Sequence, residues 1–242
     1  MSDLWQAGPE LLWQSLNYLP ALLINLGLYS LTAAALWLSL GARAGSLARR
    51  MTIIVTTGLL AFLVLGFLAL VIALTGLFSG WLFYGLWAAG LACALAYSAR
   101  TGHLSAAVRT WRQAAPLPRW LPLLLLLWLL LYTRPFELVV GGRDPGIYIN
   151  TAARIAARGG LAVPDAFFAR ITPEDRTQLL YTRRLLEDQY FFPHEWPGFV
   201  WIAANEETVP QFYPYYPALM AASYALTGFK GALTVLPLVS LL

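Results

Sequence analysis

The chain has 242 residues, of which 59% are hydrophobic and only 12% charged, and it carries ten Trp. A soluble domain of this length usually holds about twice that share of charge, so composition excludes an ordinary soluble enzyme and points to a polytopic membrane protein. The net charge of +4 is no sign of nucleic-acid binding, because the basic residues are confined to the loops between apolar runs.

The single cysteine, Cys93, lies inside an apolar run, so no intrachain disulfide is possible. The start, Met1-Ser2-Asp3-Leu4-Trp5, has neither the basic segment nor the small-residue cleavage pattern of a signal peptide. Residues 11–42 carry no charge, and 19–40 is long enough to cross a hydrocarbon core that needs roughly 20 helical residues. Residues 51–99 are also free of charge and divide into two spans, 52–74 and 81–99, at a turn near Phe78-Ser79-Gly80. A fourth span, 117–133, follows Pro116-Leu117-Pro118, with Arg119 at its start placed to snorkel to the headgroups. Residues 1–133 thus read as an N-terminal set of four spans. Residues 134–212 are a long polar segment, and 213–242 holds a fifth span ending at Gly228 and the start of a sixth after Lys230. The chain ends inside an apolar run and reads as the N-terminal piece of something longer.

Orientation follows from the arginines. The first interspan loop holds Arg43, Arg49 and Arg50, and the loop before the fourth span holds Arg100, Arg109, Arg112 and Arg119. Neither contains an acidic residue; Asp3 and Glu10 precede the first span and the other ten acids fall from Glu137 to Glu207. The arginine loops are therefore expected in the cytoplasm and residues 134–212 outside, in a multi-pass protein of the plasma membrane. No span carries a charge near its middle, which counts against an ion-coupled transporter. The expected fold class is all-α: a polytopic transmembrane helical bundle with an outward-facing loop containing short amphipathic helices.

Within that loop, Gly141-Gly142-Arg143-Asp144-Pro145 opens a helix over 146–158 that stops at Gly159-Gly160. Asp is a favoured N-cap and Pro a favoured first helical residue, so Asp144 has a structural role available whatever else it does. Tyr148, Ala152, Ile155 and Ala156 fall on one face and Asn150, Arg154 and Arg158 on another, a pattern suited to the membrane surface. Thr172-Pro173-Glu174-Asp175 opens a second, polar helix expected over 173–188, its acids serving as caps. His194 and Glu195 form a weak candidate metal pair that lacks a third ligand nearby. The aromatics from Phe191 to Tyr216 fit an interfacial belt, though such rings also stack on sugars. No Walker loop, dinucleotide fingerprint, Ser-His-Asp set or CxxC pair is present.

Asp144, Tyr148 four residues on, Ala152 four further, then Gly159 and Leu161, resemble the first outer loop of GT-C-type membrane glycosyltransferases. The branch most resembled holds the protein O-mannosyltransferases and the aminoarabinose transferases of lipid A. A second match, Phe212-Tyr213-Pro214-Tyr215-Tyr216-Pro217 running to Leu226-Thr227-Gly228, is similar to the aromatic and proline-rich segment leading into the next span of those enzymes. The resemblance covers residues 121–242. It implies an enzyme that moves a sugar from a polyprenyl-phosphate donor in the membrane lipids to an acceptor glycan, lipid or protein on the outer face, with no nucleic-acid partner. Asp144 would be the general base, Arg143, Arg154 and Arg158 the candidates to meet the donor phosphate, and Tyr148, Tyr213 and Tyr216 the sugar or lipid contacts. No cofactor is required by the residues, and a divalent metal stays open. The rival readings are a non-catalytic membrane subunit or assembly factor and a flippase for a lipid-linked intermediate.

Overall fold

A computed structural model describes residues 2–40, 47–112, 120, 123–124, 127–128, 144–172, 174–175, 184–185, 190–191, 195–196, 198–202 and 205–240. The expected fourth span, 117–133, lies largely outside the described residues. Helices dominate. α1 is Ser2–Leu40, α2 Leu47–Leu74, α3 Gly80–Arg100 and α4 His103–Arg112. After them come α5, Asp144–Arg158, the short α6, Ala166–Arg170, and α7, Tyr215–Ser240. Four stretches among the described residues are candidates by length and composition to cross a membrane: Asn17–Leu40, Arg49–Leu74, Gly80–Arg100 and Tyr215–Ser240, the last of them broken in the middle.

The first three spans fall where the charge-free runs put them, because a helix is the one open-ended way for backbone polar groups to satisfy one another in hydrocarbon. Their few hydroxyls stay inside that economy. Thr57 donates to the Ile53 carbonyl and Ser98 to the Ala94 carbonyl, one turn back, each at 2.7 Å. The turn between α2 and α3 is closed by Ser79, whose hydroxyl accepts from the Leu82 N–H at 3.2 Å as an N-cap. α1 and α2 pack through Tyr29 stacked on Phe62 (centroids 4.1 Å), and α1 and α3 through the Trp87 indole N–H donating to Thr32 at 2.9 Å. α3 is the outlying member: its apolar face is mostly exposed, and Trp81 is 93% accessible.

α7 is two helices rather than one. At Thr227 (φ −134°, ψ 18°) and Gly228 (φ 66°, ψ −150°) the backbone leaves helical values. The second pair of angles belongs to a region that only glycine occupies at little cost. Beyond the break, Gly231 abuts the Ser223 carbonyl and the Thr227 hydroxyl. Eight residues along a straight helix would be about 12 Å apart, so the two limbs, 215–226 and 229–240, fold back on each other. The boundary between fifth and sixth spans was expected at this point. Each limb by itself, about 18 Å long at 1.5 Å per residue, is shorter than a full crossing.

The polar segment from 144 to 212 is expected to be helical; it builds a small sheet as well. Strands β1 (Val163–Pro164), β4 (Glu195–Trp196), β5 (Phe199–Ile202) and β6 (Glu207–Pro210) form an antiparallel sheet in the order β1-β6-β5-β4. β2 (Arg184–Leu185) and β3 (Tyr190–Phe191) form a separate antiparallel pair, with Arg184 opposite Phe191. That pairing corrects the polar helix expected over 173–188. Thr172 does cap as foreseen, accepting from the Asp175 N–H at 3.1 Å and donating to its carboxylate at 2.9 Å. The helix cannot reach 188, because Arg184 and Leu185 place their backbone groups in a ladder with a downstream apolar segment.

α5 sits between this sheet and the helical core. Ile149, Ala152 and Ile155 are buried in the same cluster as Ala218, Leu219 and Ala222 of α7, while Ile147 lies under Gly198 at the start of β5. The helix was expected along the membrane surface with one face free. Its apolar face packs on α7 and Arg154 packs on the sheet, while Ala157 and Arg158 stay exposed.

Candidate functional site

The start of α5 is where the sequence places the chemistry. Asp144 is the first helical residue, two positions ahead of the expected start; its side chain and the whole of Arg143 lie outside the described residues. One turn on, Tyr148 is half-buried and meets Tyr216 edge-on at 5.6 Å and Phe212 at 5.7 Å. The two sequence motifs, one around Asp144 and one around Tyr215, are thus brought together by tertiary packing. Tyr213 is not part of that cluster and stands 90% exposed.

The other end of α5 is anchored. Gly159, with φ 86°, ends the helix, its N–H donating to the Ile155 carbonyl at 2.9 Å. Its own carbonyl accepts from the Phe78 N–H at 2.8 Å, tying α5 to the turn between α2 and α3. A Cβ on Gly159 would come within 2.7 Å of the Gly76 carbonyl, and one on Gly160 within 3.1 Å of the Gly76 Cα. The direction in which α5 points is therefore fixed by a glycine-to-glycine contact.

Arg154 faces the sheet. Its guanidinium donates to the Thr208 carbonyl at 3.3 Å and to the Thr208 hydroxyl, and its Cζ lies 4.6 Å over the Phe199 ring. Desolvation between helix and sheet pulls its pKa down from the usual arginine value; the Asp165 charge opposes that fall and Arg158 adds to it. Its Nη2 is engaged within the fold, whereas Arg158 is exposed. His194 lies outside the described residues; Glu195 pairs through its backbone with Val200, and its side chain is likewise outside them. Among the described residues no group of three His, Cys, Asp or Glu is placed to hold a metal ion.

Between the end of α2, the Gly160-Leu161-Ala162 segment and the approach to α7 lies an open cavity of about 390 Å³. Ala73, Gly76, Leu161, Val209, Phe212 and Pro214 give it a largely apolar wall. Phe212 is shared between this cavity and the ring cluster of Tyr148 and Tyr216.

Several residues that build the site escape a reading of the sequence. Thr208, only 2% exposed, holds Arg154 from 54 positions away. Asp165 caps α6 by accepting from the N–H groups of Phe167 and Phe168 at 3.1 and 3.3 Å. Its position before an apolar run, the usual N-cap signal, would have found it. Trp201 was grouped with the interfacial aromatics; it is 1% exposed and packs against Phe168 under the sheet. No protein-family model, curated protein or solved structure matches this chain.

Proposed function

We propose that the chain is part of a membrane glycosyltransferase that takes a sugar from a polyprenyl-phosphate donor and passes it to an acceptor on the outer face. The observation that carries this reading is the meeting of Asp144's helix with the ring cluster of Tyr148, Phe212 and Tyr216, beside an apolar cavity. A lipid-linked donor stays in the bilayer, so its reactive end can be met only at the interface. The apolar wall suits the isoprenoid chain, and rings held edge-on present faces on which a sugar can stack.

In that scheme the Asp144 carboxylate takes the proton of the acceptor hydroxyl as the new glycosidic bond forms. The bond from the sugar's anomeric carbon to the phosphate oxygen breaks, and polyprenyl phosphate departs. Arg143 and Arg158 are the candidates to receive the departing negative charge. Arg154 supports them indirectly by locking α5 to the sheet.

The test is transfer of radiolabelled sugar from a polyprenyl-phosphate donor by the full-length protein in lipid, wild type against Asp144→Asn. Transfer by the wild type and none by a folded mutant is expected. Unchanged turnover in the mutant removes Asp144 from the chemistry. Failure of both across a panel of donors and acceptors transfers the preference to a non-catalytic membrane subunit.

A further inference from the structure

The hydroxyls of Thr57, Ser98 and Thr32 are each paired within the described residues. Around the break in α7 that pattern fails. Asn25, 0% exposed in the middle of α1, donates from Nδ2 to the Gly231 carbonyl at 3.1 Å and to the Thr234 hydroxyl at 2.7 Å. Thr234 in turn donates to the Gly231 carbonyl at 2.8 Å, which leaves its lone pair to receive Asn25. This network fixes which way the amide faces, because a flipped amide would set its oxygen against the Gly231 carbonyl. Asn25 Oδ1 is left buried, accepting nothing from any described residue.

Three more oxygens share that condition in the same place. The hydroxyls of Tyr29, one turn along α1, and of Ser223 and Thr227, in the first limb of α7, are buried without a hydrogen bond from the described residues. The Tyr29 and Ser223 hydroxyls lie side by side, though not in the geometry of a made hydrogen bond. Gly231 abuts both the Ser223 carbonyl and the Thr227 hydroxyl. Asn25, through its amide, and Ser223 and Thr227 thus all border Gly231 just past the break, and Tyr29 adjoins Ser223. The last carbonyls of the first limb also lose their intrahelical partners there.

We propose that the neighbourhood of Gly231 binds a sodium-sized monovalent cation, held by Asn25 Oδ1, the Tyr29, Ser223 and Thr227 hydroxyls and carbonyls freed at the end of the first limb. A buried polar oxygen left unpaired costs on the order of 1–3 kcal/mol. Asn25 Oδ1 and the Thr227 hydroxyl are two that the described residues leave unmet even where the adjoining Tyr29 and Ser223 hydroxyls turn to each other. Asn25 Oδ1 is an acceptor only, and each hydroxyl has lone pairs to offer as well as a proton. One water offers two protons, whereas a small cation gathers five or six oxygens at once. The absence of a carboxylate among these groups favours a single charge over calcium or magnesium. The C-terminal end of the first limb adds partial negative charge, and broken helices inside membrane spans are a recurring way to present carbonyls to sodium. Lys230 does not compete: it is exposed, and its ammonium lies 5.8 Å over the Tyr18 ring. The inference stands independently of the transferase reading, and a failed sugar-transfer assay leaves it untouched.

The experiment is retention of ²²Na⁺ by the purified full-length chain in lipid, with thermal unfolding followed by Trp fluorescence in sodium, potassium and choline chloride at equal ionic strength. We expect saturable sodium retention and an unfolding midpoint that climbs with sodium but not with choline. Asn25→Ala should weaken apparent sodium affinity by about tenfold or more, as removal of one oxygen from a small-ion shell does. If Asn25→Ala does not fold, Ser223→Ala, which deletes a single hydroxyl, carries the same comparison, and Ser39→Ala on α1 serves as the unaffected control. No sodium retention together with equal midpoints in all three salts would overturn the proposal in favour of ordered water. Sodium stabilisation that survives both substitutions would place the ion elsewhere and overturn it equally.

Discussion

Gly159 and Arg154 show how much of this fold rests on single side chains, or on their absence. Gly159 combines a positive φ with a 2.7 Å approach of its would-be Cβ to the Gly76 carbonyl. Gly159→Ala should cost about 2 kcal/mol or more, from the left-handed backbone and the displaced turn together. Thermal unfolding in lipid or detergent checks it, and an unchanged midpoint would mean the turn yields freely. Arg154 clips helix to sheet through two hydrogen bonds from one guanidinium and a ring beneath it. Arg154→Lys keeps the charge but loses the planar face over Phe199 and part of the reach to Thr208, and should destabilise the packing of α5 on the sheet by about 1 kcal/mol. Faster proteolysis within residues 195–210 of the mutant is the readout, and identical cleavage would show the clip to be dispensable.

At the scale of elements, the break in α7 is a property of its backbone. A Cβ at Gly228 would meet nothing within 4 Å, so its glycine is needed for conformation and not for space. Gly228→Ala should therefore destabilise by about 1–3 kcal/mol, the cost of a non-glycine residue in that region. Gly27 offers the internal comparison, since it lies in a regular stretch of α1 and its Cβ would also find open space. Gly27→Ala should be neutral or stabilising by about 0.5–1 kcal/mol. If the two substitutions behave alike, α7 does not hold the angles described. The elements around it are joined by specific bonds: the Tyr84 hydroxyl donates to the Ala222 carbonyl at 2.6 Å and that of Tyr215 to the Phe62 carbonyl at 2.8 Å.

For the whole molecule, the absence of acids from the two loops that hold Arg43 to Arg50 and Arg100 to Arg119 makes a prediction about sidedness. Cys93 is the lone cysteine and is exposed on α3, so Cys93→Ser provides a background for labelling. Ser105→Cys, between Arg100 and Arg109 within the arginine loop, should resist a membrane-impermeant maleimide added to intact cells, while Asn205→Cys, on the exposed β5–β6 turn, should react. Labelling at 105 from outside would invert the assignment and remove the interfacial site from the outer face. The exposed apolar faces of α2 and α3, with Phe67 at 63% and Leu74 at 64%, are what lipid would cover in either orientation.

The long apolar helices were legible from sequence, because hydrocarbon forbids charge and the rule is local: α3 ends at Arg100, where the charge-free run ends, and α7 breaks at Thr227-Gly228, where the sequence suggests a boundary. The helix after Asp144 was legible for a similar reason, its period and closing glycines being contained within some fifteen residues, although Asp144 itself is the first helical residue and not the cap expected of it. What those signals do not carry is partnership. Asn25 is one polar letter in an apolar run until the Gly231 carbonyl, 206 residues later, meets its amide. Arg154 reads as an exposed cation until β6 folds over it, and the chain near Arg184 reads as helix until Phe191 pairs with it. Local propensity and solvent exclusion act over a few residues and so can be read along the chain. The satisfaction of a buried polar group depends on distant segments, and only the tertiary structure decided it.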